Sequence, residues 1–330
     1  MSDTIERRRL HVELDRFAIE NLVRPVDSRS QVTSATLLST GKLNTNYKVE
    51  LADRKEPLVL RIYTHDSLAC ERDAALYQRL GNKVPMAPVL YHAASGPGLE
   101  HPYAVFAWVD GVLLSEVLER GCSSDIASVA QAAGVALAAI NQFRFDSAGF
   151  LGAKLEYTQT SQNATALFRD YLRDVEHKGL AVKRLGPGEF HRILRFIDDH
   201  LGCLAVTESW YSFVHGDYTG TNVIVWKEEM GWRVSAILDW EFVTVGTSIF
   251  DVGVFLRNED KLPPDFRGCF TRAFADAGGY LPPGWRRASK LLDLVNQFAF
   301  LDADGEYPNT FADASARIYS TIAHWSEFND

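Results

Sequence analysis

Residues 212–226 read SFVHGDYTGTNVIVW, which sets His215, Asp217 and Asn222 within eight positions, between two short apolar runs. A polar loop clamped between strands is a common way to present reactive groups, because the strands supply the rigidity that a loop lacks. Asp239 follows 22 residues after Asp217, at the end of the hydrophobic run VSAILDW. If 222–226 and 233–238 pair as a hairpin, Asp239 returns to the end of the sheet that carries the 215–222 loop. Two carboxylates and one amide then converge: Asp217, Asn222 and Asp239. Such oxygen donors suit Mg2+, which takes few protein carboxylates and completes its shell with water or phosphate oxygens. Any one of the three alone reads as an ordinary polar turn or cap; the set does not.

The first third of the chain offers a complement. In STGKLNTNYKV (39–49) Gly41 and Asn44 lie between strands. A turn of that kind lays backbone N–H groups over phosphates or is a plain hairpin. Glu71, three residues after Leu68 and four before Ala75, is expected on the apolar face of a helix over 67–80, where a carboxylate needs a cationic partner. Arg61, which interrupts the apolar strand PLVLRIY, is the expected partner. Protein kinases hold the α- and β-phosphates of ATP with a strand cation paired to a helix carboxylate. A purely structural Arg–Glu pair is the alternative.

Elements must position these groups. An amphipathic helix over 11–23 leads into strands over 34–40, 46–52 and 57–63, whose β-branched and aromatic content and short connections predict an antiparallel meander. Ser67 is the expected N-cap of the helix over 67–80. Beyond residue 112 the apolar period changes from two to about 3.6. Ile126, Val129, Ala133, Leu137 and Ile140 mark one face of a long helix, with Ser123 or Ser124 as its cap; further helices are expected near 163–178, 188–202, 248–257, 266–276, 285–299 and 311–325, with strands only near 212–214, 222–226 and 233–238. The predicted class is α+β: a small β-rich lobe (1–107) with a leading helix, a hinge (108–112), and a larger, mostly helical lobe (113–330) carrying the reactive loop. Ligand sites commonly lie in the cleft such a junction makes.

HGDYTGTN followed by ILDWE resembles the catalytic signature of the aminoglycoside phosphotransferase family, protein-kinase-like small-molecule kinases that include choline kinase relatives. The resemblance runs from about residue 33 to 257, and GTSIFDVGVFLR resembles the helix whose Asp supports the family's catalytic loop. It implies a bilobal protein-kinase-like fold and transfer of the γ-phosphoryl group of ATP or GTP, with magnesium, to an alcohol oxygen. Asp217 would be the catalytic base, Asn222 and Asp239 the magnesium ligands, and Asp251 a brace. His215 would pack beneath the loop and orient it. VFAWVDG resembles the hinge that carries the nucleotide base, through backbone groups near Ala107 and Val109. Arg61 stands where the family often has Lys; as a planar fork it changes the geometry of any phosphate contact.

Composition bounds the rest. A chain of 330 residues, 46% hydrophobic, exceeds one typical domain. Its four cysteines form no CxxC pair, so neither zinc nor a disulfide framework is indicated. The charged start MSDTIERRRLHVELDRF lacks a signal-peptide core, and no apolar run approaches the roughly 20 residues that span a bilayer. A cytoplasmic, membrane-free protein is expected, as monomer or homodimer. From residue 203 onward 10 Lys/Arg face 18 Asp/Glu, a balance of −8, against 24 and 25, or −1, before it. An acidic half speaks against nucleic acid. It fits either a solvated acidic surface or a cationic acceptor such as an aminoglycoside, with NEDKLPPDF (258–266) and FLDADGEYPN (300–309) as candidate walls. Another small alcohol, an amino alcohol or a sugar, is the alternative. A nucleotide-binding pseudokinase is disfavoured by the presence of both Asp217 and Asp239.

Overall fold

The computed structural model of the chain describes residues 11–29, 31–38, 43–161 and 163–329. Helix α1 (Arg16–Val23) begins later than the amphipathic pattern suggests, because Asp15 caps it by accepting the Ala18 N–H. Strands β1 (Val32–Leu38), β2 (Thr45–Leu51) and β3 (Arg54–Ile62) form the expected antiparallel meander. After helix α2 (Ala69–Leu80), β4 (Val89–Ala93) and β5 (Tyr103–Ala107) complete a five-stranded sheet in the order β1-β2-β3-β5-β4. Strand alternation sorts its faces. Leu58, Leu60 and Ile62 pack with Val49, Leu51 and Ile19 in one core, so Arg61 projects from the other face. Asp66, not Ser67, holds the start of α2, through the Leu68 N–H.

The second lobe opens with β6 (Val112–Leu113), α3 (Leu114–Arg120) and the long α4 (Ser123–Asn141). Three short strands, β7 (Arg144–Phe145), β8 (Ala148–Leu151) and β9 (Tyr157–Ser161), precede helices α5 (Ala164–Lys178), α6 (Leu180–Leu185) and α7 (Pro187–His200). Strand β10 (Tyr211–Val214) leads to the hairpin of β11 (Val223–Glu228) and β12 (Gly231–Ile237), and then to β13 (Thr244–Gly246). Helices α8 (Ile249–Phe255), α9 (Phe266–Asp276), α10 (Trp285–Leu301) and α11 (Pro308–Ala323) close the chain. The expected bilobal α+β architecture is the one found. The additions are α3, α6 and the small sheet β7-β10-β13-β8-β9, whose members are too short to show a period.

Helix α4, apolar and long enough by composition to cross a membrane, is half buried in the core of this lobe. Gly134 lets it cross α9 backbone to backbone. A Cβ there would collide with the Phe270 carbonyl oxygen and lie 2.9 Å from the Phe274 nitrogen. In an open helix Gly→Ala gains about 1 kcal/mol of propensity. Here the overlap with two backbone groups costs about 1–3 kcal/mol and decides the sign. Gly134→Ala should therefore lower Tm by several degrees in a thermal melt; a rise would show that the crossing has room to relax.

Candidate active site

Strand β10 runs directly into His215, and a buried carboxylate fixes the loop at that point. Asp251, in the first turn of α8, is fully buried and accepts the backbone N–H groups of His215 at 2.8 Å and Gly216 at 3.0 Å. Burial pushes its carboxyl up to about 7, while the two N–H donors pull it back. Gly216 has φ +85, and a Cβ there would lie 2.8 Å from the Phe242 carbonyl oxygen, so both conformation and space require glycine.

His215 is fully buried with its ring against Trp240, centroids 4.7 Å apart. Nε2 donates to the Leu238 carbonyl at 2.8 Å, which leaves Nδ1 to accept the Asp217 N–H at 3.2 Å. Burial lowers the ring's pKa and keeps it neutral. Asn222 meets the same strand end, its backbone carbonyl accepting the Leu238 N–H at 2.8 Å. Its amide Nδ2 donates to the Asp217 carboxylate at 2.8 Å and the Asp217 carbonyl at 2.9 Å. Both backbone groups of Leu238 are thus held by the loop, and Asp239 is the next residue. Asp239 turns the chain out of β12 in the left-handed region (φ 65, ψ 63), which an Asp tolerates better than a bulky side chain would. Asp217, Asn222 and Asp239 are brought together as the spacing suggested. Burial raises the Asp217 carboxyl, and Asp239 adds to that; His215, Arg257 and the Asn222 amide oppose it.

The Arg61–Glu71 pair does not form. Glu71 is half exposed and faces Lys154 at 3.9 Å. The expected helix face was phased on Leu68, which precedes the first residue of α2 and is 51% exposed. The buried stripe instead runs through Ala69, Asp73, Leu76 and Leu80, at spacings of four, three and four. Asp73 is the buried carboxylate and accepts the Tyr63 hydroxyl at 2.6 Å. Burial raises its pKa, and the Arg61 charge is the largest opposing influence. Arg61 itself reaches across the cleft to a close ion pair with Asp239, with the Glu241 carboxylate 3.9 Å away. Its Nε and the Oδ1 of Asp73 are buried without hydrogen-bond partners among the described residues.

Sequence reasoning passed over Glu241 as well, although it stands two residues after Asp239 in the same DWE run. It accepts the Asn44 side-chain amide at 2.9 Å, and burial pushes its carboxyl up to about 7. Arg72 donates to the Glu241 carbonyl at 3.0 Å and to Asp66 at 2.6 Å, fastening α2 to the segment after Asp239.

The side chain of Asn44 is buried and spent on Glu241 and on the Thr64 N–H at 3.3 Å. Gly41 lies outside the described residues. At the hinge, the Ala107 N–H goes to the Pro88 carbonyl at 2.9 Å and the Trp108 N–H to Pro57 at 3.3 Å. Val109 makes no backbone hydrogen bond to the described residues. The carboxylate of Asp239 and the Asn222 side-chain oxygen are the hard donors magnesium takes, and Asp239 already draws a cation, Arg61, so these residues fit that ion. Among the described residues no cluster of three or more His, Cys, Asp or Glu could hold another metal.

A small β-rich lobe and a helical lobe around such a loop define a kinase-like phosphotransferase of small molecules. The chain belongs to the phosphotransferase enzyme family, whose profile matches residues 34–291, well into α10. A comparison with curated protein sequences gives no match. Among solved structures the fold is similar to aminoglycoside phosphotransferase APH(4)-Ia, at 18% identity and TM-score 0.66 over 94% of this chain and 99% of that one. A thermostable mutant of that enzyme, in a ternary complex with AMP-PNP and hygromycin B, aligns at 17% identity and TM-score 0.62 over 93% and 98%. The GDP complex of aminoglycoside 2'-phosphotransferase-IIIa aligns at 13% and 0.66 over 94% and 99%. Macrolide 2'-phosphotransferase MphH from Brachybacterium faecium aligns at 15% and 0.64 over 91% and 97%.

Two outcomes test this geometry. Asp73→Ala orphans the buried Tyr63 hydroxyl and should cost about 1–3 kcal/mol. Glu71→Ala should change stability by less than about 0.5 kcal/mol. Thermal melts in which Glu71→Ala is the damaging variant would restore the pairing read from the sequence. The second concerns pH. A buried His whose folded pKa is depressed contributes stability that is full above its unfolded pKa of about 6.5 and lost as pH falls below it. Tm should drop on acidification through that range, and the drop should shrink in His215→Asn, whose side chain does not titrate.

Proposed function

We propose that the chain transfers the γ-phosphoryl group of ATP or GTP to a hydroxyl of a small molecule. The supporting observation is the double hold on Leu238, which sets Asp239 beside a loop whose Asp217 is aimed by Asn222 and His215. Asp217 would orient the acceptor hydroxyl and take its proton, in a partly buried setting that raises its basicity. Arg61 would turn from Asp239 to the phosphates, with Asp73 and Glu241 left to balance its charge. The Ala107 carbonyl and Val109 N–H would receive the nucleotide base. Asn222 and Asp239 would hold magnesium, which when bound neutralises phosphate charge. Phosphoryl transfer asks mainly for such positioning and neutralisation. AMP-PNP in one relative and GDP in another motivate both nucleotides as candidates. A cytoplasmic setting would supply either.

Three of the six carboxylates in the acidic segments expected to wall the acceptor site are paired with cations of this chain. Glu259 is held by Arg267 at 3.0 Å, Lys290 at 3.2 Å and Arg286 at 3.5 Å. Asp302 and Asp304 both face Lys178, at 3.4 and 3.6 Å. A cationic acceptor keeps the support of Asp260, Asp265 and Glu306 and of the overall −8 balance after residue 202. Aminoglycosides and amino alcohols are the acceptors to try first, with sugars beside them.

Asp217→Asn should lower kcat by roughly 10²–10⁴-fold and leave nucleotide affinity nearly unchanged, because the carboxylate serves the acceptor. Asp239→Ala should abolish magnesium-dependent nucleotide binding, read by calorimetry. Coupled ADP release at wild-type rate from both variants would end the phosphotransferase reading.

A further inference from the structure

Arg257 lies just beyond α8, six residues after Asp251, with its side chain only 11% exposed. Its Nε donates to both carboxylate oxygens of Asp293 on α10, at 2.9 and 3.0 Å, and Nη2 donates to the same carboxylate. Gln297 supports Asp293 with a donor at 3.2 Å. The guanidinium is a planar fork, so an Nε/Nη2 edge spent on one carboxylate leaves Nη1 pointing away from it. Nη1 has no partner among the described residues, and it is not one of the sealed-off orphan atoms, so it faces solvent-accessible space. The ion pair stands beside the 215–222 loop, Asp293 being one helical turn from Asn296 on α10. Helix α8 supplies the Asp251 that anchors the loop, and Asn296 on α10 donates to the Gly216 carbonyl at 3.4 Å. The Arg257–Asp293 pair therefore ties together the two helices that grip the loop; the Arg257 charge is one of the influences that oppose the rise of the Asp217 carboxyl, and Asp313 on α11 also lies in its field. Arg61 and Asp239 mark the nucleotide end of the cleft; Arg257 belongs to α8 and α10.

We infer that Arg257 is a specificity-determining residue: its free Nη1 edge donates to an oxygen on the carbon next to the hydroxyl presented to Asp217, and an ammonium group is excluded from that position. The inference rests on the phosphotransferase reading. A guanidinium stays charged at every physiological pH, so it rewards a hydroxyl, ether or carboxylate oxygen and repels an amine on that carbon. Amines elsewhere on the acceptor are unaffected. Asp293 and Gln297 act as positioning residues.

The test is ADP release over a panel of aminoglycosides, amino alcohols and sugars that includes glucose, glucosamine and 2-deoxyglucose, with the phosphate located in each product by NMR. The carbon beside the phosphorylated one should carry oxygen in every good acceptor. Arg257→Gln should lower kcat/KM on such an acceptor by roughly 10–100-fold, yet leave the analogue deoxygenated at that carbon within about threefold, because that analogue never used the donor. Arg257→Lys should recover part of the loss. If Arg257→Gln melts early, the neutral pair Arg257→Gln/Asp293→Asn keeps the shape and takes its place. Phosphorylation beside an amine-bearing carbon, or an equal loss on both analogues, overturns the inference. No ADP release by the wild type with any acceptor overturns the phosphotransferase reading itself, and this inference with it.

Discussion

The carboxylate of Asp251 is sealed from solvent, and it is held by the N–H groups of His215 and Gly216. An unsatisfied N–H at either position would cost about 1–3 kcal/mol, and a buried carboxylate without donors would cost more. Each side of the contact therefore needs the other. Once the backbone of the loop is fixed at 215 and 216, the His215 ring can reach only toward Leu238, and Asp217 is placed by that ring and by Asn222. The loop is thus held from behind, by the helix that carries Asp251.

A second layer of buried charge registers the two lobes. Arg61 crosses to Asp239, Asn44 to Glu241, and Arg72 to the Glu241 carbonyl. Pairs of this kind rarely add much net stability, because desolvation cancels most of the attraction; what they set is geometry. The small lobe can dock in few other ways without leaving a cation or carboxylate unmatched.

The parts of this architecture legible in the sequence are those encoded locally. His215, Asp217 and Asn222 lie on one loop, and Asp239 returns to it through a single hairpin, so spacing alone is sufficient to bring them together. Helix existence after residue 112 is written in the apolar period. Partners across the lobes are another matter. Arg61 meets a residue 178 positions away, a distance over which neither periodicity nor spacing carries information. Glu71 displaces Asp73 only when α2 is phased on an exposed residue outside it; the stripe Ala69-Asp73-Leu76-Leu80 is present in the sequence all along. A count of charges does not show which acidic residues are already neutralised, and Glu259 with its three cations is such a case.

Leu238 is held by its main chain, its carbonyl by a histidine ring and its N–H by the Asn222 carbonyl. The contacts that set where Asp239 stands are thus made by the peptide groups of Leu238, and most substitutions there leave both hydrogen bonds available. Proline alone is barred outright, since it has no hydrogen to give. The pivot of the site is written in peptide bonds, and side-chain comparison is blind to it.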